Sequence, residues 1–200
     1  TALGLLLLRC AAYYTYSTGN LSLIWPGFIG GFVLAIITIF KKEWSPITVP
    51  IYAVLEGLAL GGISSIYDNA YTGIVQQAIF LTFGIFFTLL LAYKSKLIKP
   101  TENFKLGVTA ATGGIAIVYV VNMFIPGGAG IITDTGPMGI GFSLFVVVIA
   151  SLNLVMDFDY IEDAAESGAP KYMEWYGAFG LLVTLVWLYL EILRLLAKLR

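Results

Sequence analysis

Long runs of apolar residues alternate with short charged clusters along the whole chain. Seven runs each approach the roughly 20 residues that an α-helix needs to cross about 30 Å of hydrocarbon. They are continuously apolar, whereas a membrane β-strand alternates in polarity. The pattern predicts an all-α polytopic membrane protein with seven transmembrane helices. The approximate bounds of the runs are 2–16, 21–40, 46–66, 70–93, 106–125, 137–156 and 175–196.

Composition agrees with a lipid environment. Of the 200 residues, 59% are hydrophobic and 12% charged, against about 25% charged in soluble domains, and the mean hydropathy is +0.91. We expect residues 1–200 to form one transmembrane domain. Because the chain begins with Thr1 and Arg9 interrupts the first run, we expect the first helix to be truncated.

Charge and residue types exclude several classes of function. The net charge is −1, so no basic surface predicts a nucleic-acid partner. There is no histidine and Cys10 is the single cysteine, which removes the usual zinc, general-base and disulfide chemistry. We therefore expect neither an enzyme nor a bound cofactor, and we expect the lipid bilayer as the surrounding partner.

The basic residues between the runs predict an orientation. They lie between the second and third, fourth and fifth, and sixth and seventh runs, and lysine-rich loops face the cytoplasm. The N-terminus and the even-numbered loops are therefore predicted to be cytoplasmic. Seven spans place the C-terminus outside, although Lys198 and Arg200 favour the cytoplasm, so the side of the C-terminus stays open.

Charged residues inside the apolar runs are the first candidates for function. Inserting a charge at mid-membrane costs about 2.5–3.5 kcal/mol on insertion scales, so each such residue is a candidate for a functional site. The candidates are Arg9, Glu56, Asp157, Asp159, Glu191 and Arg194.

Asp157 and Glu191 are the main hypothesis for the site. Asp157 ends the sixth run and Glu191 interrupts the seventh, so adjacent antiparallel helices can bring them together. Two close carboxyl groups in a low dielectric share a proton, and they bind a hard cation when deprotonated. The alternative places Asp157 at the water interface and pairs Glu191 with Arg194, three residues on. Glu191 also lies about 32 Å along a helix that starts near Pro170, which opposes the pairing.

Three further positions are weaker candidates. Asp159 lies about 200° around the helix from Asp157, so we expect it to face water, or else to line a cation path. Glu56 either lines that path or donates a hydrogen bond between helices as a protonated acid. Gly57 and Gly61 beside it predict a close helix approach.

Two lysines end the second run. Lys41 and Lys42 mark the cytoplasmic face. Whether either also acts as a basic latch, that is, as a cationic partner of Asp157 in a closed state, stays open.

Asp157 to Glu174 is a polar insert between the last two runs. Within it, the sequence Ser-Gly-Ala-Pro at 167–170 predicts a helix stop, with Gly168 as the cap and Pro170 opening the next helix.

Four segments resemble the bacterial Bax inhibitor-1-like family, part of the transmembrane Bax inhibitor motif superfamily. They are 52–64, 111–119, 136–162 and 168–196, and the resemblance covers roughly residues 20–200. It implies a seven-helix fold with the last helix central, and a pH-sensitive calcium leak in the bacterial inner membrane. Ca2+ is then the transported ion rather than a cofactor.

The resemblance also implies residue roles. Asp157, followed by Ile161, and Glu191 correspond to the family's acid pair, which senses pH, gates the pore and is the candidate Ca2+ ligand. Lys41 or Lys42 corresponds to its basic residue at the end of the second helix. Better-studied members have Asp where Glu191 stands, and their two acids are closer in sequence.

Two other functions stay open. Some bacterial relatives resemble regulators that bind a membrane protease, and such a role does not require Asp157 and Glu191 to titrate. An H+/cation antiporter does require it, but the sequence shows no clear inverted repeat or broken span.

Overall fold

The structure, a computed structural model, describes residues 2–124, 130–132 and 134–200. In this part of the chain the regular structure is helical throughout, with seven α-helices and three short 3-10 turns, and the all-α prediction is confirmed. The α-helices are α1 (Ala2–Thr18), α2 (Ile24–Phe40), α3 (Ser45–Ala70), α4 (Ile74–Lys94), α5 (Glu102–Phe124), α6 (Pro137–Glu166) and α7 (Tyr172–Lys198).

Six of the described helices, α2 to α7, are long and apolar enough to cross a membrane. α1 has 17 residues. Helices dominate because lipid offers no hydrogen-bond partner, so a spanning segment must satisfy its backbone groups internally. Large apolar side chains are exposed on α2, α4 and α5, as expected of surfaces that face lipid.

α6 extends ten residues beyond its predicted end at Met156 and includes much of the polar insert. The insert contains no helix breaker before Gly168, so the helix continues after the apolar run ends. Gly168 has a φ of +67°, and its N–H and that of Ala169 bond back to the carbonyl oxygens of Ala165 and Ala164. This is a Schellman cap, so the predicted helix stop is confirmed.

The backbone forms two compact units. The first comprises Thr1–Val75 and Tyr160–Val183, and the second comprises Gln76–Asp159 and Thr184–Arg200. Both α6 and α7 contribute residues to each unit.

The core of the first unit lies where α3 meets the beginning of α7. Buried side chains of both helices pack together here, with Tyr52 and Phe179 in edge-to-face contact at a centroid distance of 5.1 Å. Leu182 of α7 is fully buried and also approaches Gly4 of α1.

α1 and α3 approach so closely that only glycine fits at two positions. A Cβ atom on Gly57 would lie 2.4 Å from the carbonyl oxygen of Leu8, and one on Gly61 would lie 2.2 Å from that of Ala12. The predicted close approach at this small-residue pair is confirmed.

The core of the second unit joins α5 and α6. Ile115, Val146 and Ile149 form its centre, and Trp187 of α7 packs against them. Leu188 and Leu193 of α7 are fully buried. α7 is thus a core helix within each unit, which agrees with the role expected for the last helix.

Candidate functional site

Glu191 is the most deeply buried charged residue of the second unit, with 2% of its surface exposed. Its Oε1 accepts a hydrogen bond from the hydroxyl of Tyr119 at 2.7 Å. The Nη1 of Arg194 lies 2.9 and 3.0 Å from its two carboxylate oxygens. Arg194 also donates to the Tyr119 hydroxyl and lies over its ring. The carboxylate is therefore held by one neighbour on its own helix and one on α5.

The sequence explains one contact of this cluster, the pairing of Glu191 with Arg194. Residues three apart on a helix lie on one face, so Glu191 and Arg194 meet wherever α7 is helical. A buried carboxylate that stays ionised requires such a partner, because an uncompensated charge in a low dielectric is strongly destabilising. The third member, Tyr119, depends on how α5 docks, which spacing along the chain does not reveal.

Asp157 lies near the end of the α6 segment in the second unit, beside Thr184 of α7. Its Oδ2 atom is buried and has no hydrogen-bond partner among the described residues. Buried polar atoms without partners are rare in native structures, and each needs an explanation. An acceptor of this kind has free lone pairs available for a proton, a water molecule or a cation.

A further polar contact lies one helical turn from Asp157. The Nδ2 of Asn153 donates to the hydroxyl of Thr112 at 2.8 Å and to the carbonyl oxygen of Ile149 at 2.9 Å. Thr112 is two turns before Tyr119 on α5. Asn153 thus bridges the faces of α5 and α6 that carry Tyr119 and Asp157.

An open groove of about 240 Å3 runs beside these contacts. It is lined by residues of α5 and α7, namely Thr112, Ile115, Ala116, Tyr119 and Trp187. Along the second unit, polar groups therefore follow one another from Asp157 and Thr184, through Asn153 and Thr112, to the cluster around Glu191.

The two main candidates have separate partners. No hydrogen bond joins the carboxyl groups of Asp157 and Glu191 in the described part of the chain. Thr184, beside Asp157, precedes Glu191 by seven residues, or about 10 Å along α7. The alternative interpretation of Glu191, its ion pair with Arg194, is confirmed. A proton shared by Asp157 and Glu191 stays a prediction.

Asp159 is less exposed than expected for a residue that faces water, since 16% of its side chain is accessible. The Nζ of Lys105 in α5 lies 2.7 Å from its Oδ2, and the hydroxyl of Tyr93 donates to its Oδ1 at 3.4 Å. Asp159 is thus neutralised locally by a lysine, and its role in a cation path stays a prediction.

Glu56 belongs to the first unit, where it is buried with 7% exposure. A Cβ atom on Gly31 of α2 would lie 2.6 Å from the Oε2 of Glu56, so a glycine on the neighbouring helix makes room for this carboxyl group. Whether Glu56 lines a cation path is likewise a prediction.

Lys41 and Lys42 follow the end of α2 and are both exposed. The Nζ of Lys42 lies 4.9 Å from the centre of the Tyr176 ring, a cation–π contact within the first unit. The role of either lysine as a latch for Asp157 stays a prediction. Arg9 is exposed on α1.

No group of three or more acidic, cysteine or histidine side chains forms a metal centre among the described residues. Ca2+ bound as a resident ion takes six to eight oxygen ligands. The role of Asp157 and Glu191 as Ca2+ ligands stays a prediction.

Sequence reasoning missed the polar partners on α5 and α6. Thr112, Tyr119 and Asn153 carry no charge, so a search for charges inside apolar runs passes over them. The available signal was an Asn within the apolar run of α6, since a buried amide requires hydrogen-bond partners.

In the described part of the chain, six helices that are long and apolar enough to cross a membrane, together with buried polar side chains, define a multi-pass α-helical membrane protein. The chain belongs to the Bax inhibitor 1 like family, whose model matches residues 1–200, the whole chain. No curated protein and no solved structure matches it.

Proposed function

We propose that the protein is a pH-sensitive cation leak, with Ca2+ as the transported ion, in a bacterial inner membrane. The observation that carries this proposal is the buried, unpartnered Oδ2 of Asp157. A carboxylate oxygen with free lone pairs inside a membrane helix bundle is a natural acceptor for a hard cation.

The polar groups of the second unit support a path for the ion. Asp157, Thr184 and Thr112 carry oxygen atoms, and hard oxygen ligands suit Ca2+. Beyond them, Arg194 occupies the carboxylate of Glu191. In the proposed leak, a cation that reaches Glu191 must displace the guanidinium of Arg194 from this carboxylate.

Protonation gives the proposed leak its pH dependence. A protonated carboxyl group has no net charge to attract a cation, so the path conducts less as the pH falls and more as it rises. The same acids serve as sensor and gate, which requires no histidine. Both assignments also follow from the family resemblance of Asp157 and Glu191.

The direct test is Ca2+ flux into proteoliposomes between pH 5 and pH 8. We expect wild-type flux to rise with pH and Asp157→Asn to reduce flux at pH 8 by at least about tenfold, equivalent to about 1.4 kcal/mol in barrier height. Asp163→Asn is the matched control, because Asp163 is an exposed acid six residues further along α6. Its flux and pH profile are expected to equal the wild type.

Three outcomes contradict the leak. Absence of flux from folded protein at every pH favours the regulator of a membrane protease. Flux that requires an opposing proton gradient favours an H+/cation antiporter. If the pH dependence of Ca2+ flux is unchanged in both Asp157→Asn and Glu191→Gln, the two acids are excluded as the pH sensor.

A further inference from the structure

A second cavity lies in the first unit, where α2 ends and a short turn leads into α3. It has a volume of about 360 Å3 and is lined by Phe40, Lys41, Lys42, Glu43 and Tyr172. The hydroxyl of Ser45 donates to the carbonyl oxygen of Tyr172 at 2.7 Å. This bond fastens the start of α3 to the start of α7, so the two walls of the cavity keep their spacing.

The lining carries more positive than negative charge. It contains two ammonium groups, of Lys41 and Lys42, and one carboxylate, of Glu43. Lys42 is held by its contact with the Tyr176 ring, which restricts its otherwise flexible side chain. Ammonium groups bind phosphate oxygens through charge-assisted hydrogen bonds, so the lining is complementary to a phosphate anion.

The surroundings indicate how such an anion would be presented. Large apolar side chains flank the lysines and are widely exposed: Phe40 by 81%, Trp44 by 56% and Ile47 by 69%. Phe40 ends α2 and Ile47 lies in α3, and both helices are candidate membrane spans, so we expect these apolar side chains to meet acyl chains. Lysines at the end of a span lie at headgroup depth, and tryptophan is enriched at the same level.

We propose that this cavity binds the phosphate group of an anionic phospholipid. Lys41 and Lys42 bind the phosphate, and the acyl chains lie along Phe40, Trp44 and Ile47. Basic pockets between membrane helices on the cytoplasmic side bind anionic headgroups in this way. The site lies within the first unit and does not depend on ion conduction.

The test is native mass spectrometry of the full chain in detergent, titrated with phosphatidylglycerol or with phosphatidylcholine. We expect wild type to bind phosphatidylglycerol preferentially, and Lys41→Gln with Lys42→Gln to weaken that binding about tenfold. The matched control replaces Lys94 and Lys99, two exposed lysines around the end of α4, with glutamine. It changes the net charge equally and is expected to keep the wild-type affinity.

Several results overturn the proposal. Equal weakening in the control means that net charge, rather than this cavity, attracts the lipid. Equal affinity of wild type for the two lipids removes the anionic selectivity. Displacement of phosphatidylglycerol by millimolar inorganic phosphate assigns the site to a soluble anion instead.

Thermal unfolding of both double variants verifies that they fold. Tyr176→Leu provides a second variant, because it removes the ring that holds Lys42. We expect it to weaken phosphatidylglycerol binding without removing a charge.

Discussion

Replacing Gly61 by leucine is expected to lower the free energy of unfolding by about 3 kcal/mol or more. A Cβ atom at this position would lie 2.2 Å from the carbonyl oxygen of Ala12 and 2.9 Å from its Cα. These are backbone atoms of α1, so no side-chain rotation can relieve the clash. α1 must move away from α3, and the contacts along the interface are lost together.

The measurement is an unfolding titration with SDS in mixed micelles, followed by tryptophan fluorescence. Gly84→Leu in α4 is the matched control, because a Cβ atom on Gly84 meets nothing within 4 Å. The control is expected to be neutral or slightly stabilising, since leucine favours helix more than glycine does. Equal destabilisation by both substitutions would mean that loss of glycine itself, rather than the close approach, is responsible.

Gly61→Ala separates backbone contact from side-chain volume. Alanine adds only the Cβ atom, which already meets the backbone of Ala12. We therefore expect a clear loss of stability from this smallest substitution as well, whereas a requirement for volume alone predicts almost none. Close approach of helix backbones is a main source of stability where lipid removes the hydrophobic drive between helices.

The hydropathy pattern predicts the helices well, because a membrane leaves few alternatives to a continuous helix. The second apolar run ends at Phe40, and α2 ends there as well. The sixth apolar run ends at Met156, yet α6 continues to Glu166. Hydropathy reports where the lipid environment ends, whereas helix breakers and caps decide where the helix ends.

The site is predictable where it depends on one helix and unpredictable where it depends on two. Glu191 and Arg194 pair through their spacing on α7, so sequence alone gives this contact as an alternative. The bonds from Tyr119 to Glu191 and from Asn153 to Thr112 join different helices. They depend on the rotation and depth of each helix, which packing fixes and periodicity does not.

Arg194→Met is expected to lower the free energy of unfolding by about 3 kcal/mol, at the lower end for breaking a buried ion pair. The substitution keeps an unbranched apolar stem but leaves Glu191, which is 2% exposed, without its cation. Tyr119 still donates one hydrogen bond, but a neutral hydroxyl does not compensate a full charge.

Glu191→Gln is expected to lower the free energy of unfolding by less, about 1 kcal/mol, because the remaining charge of Arg194 can reach a polar environment. The side chain of Arg194 is 32% exposed, so its guanidinium can extend away from the cluster. The pair is therefore asymmetric: the loss of the cation leaves a trapped charge, whereas the loss of the anion does not.

The double variant Glu191→Gln with Arg194→Met distinguishes a trapped charge from lost packing. If the uncompensated carboxylate is the cause, removing it restores most of the stability that Arg194→Met loses, with a coupling energy of about 2 kcal/mol in the double-mutant cycle. If lost packing around Arg194 is the cause, the two losses add instead. The same SDS titration measures all four proteins, so the cycle assigns the stability of this buried cluster independently of any ion flux.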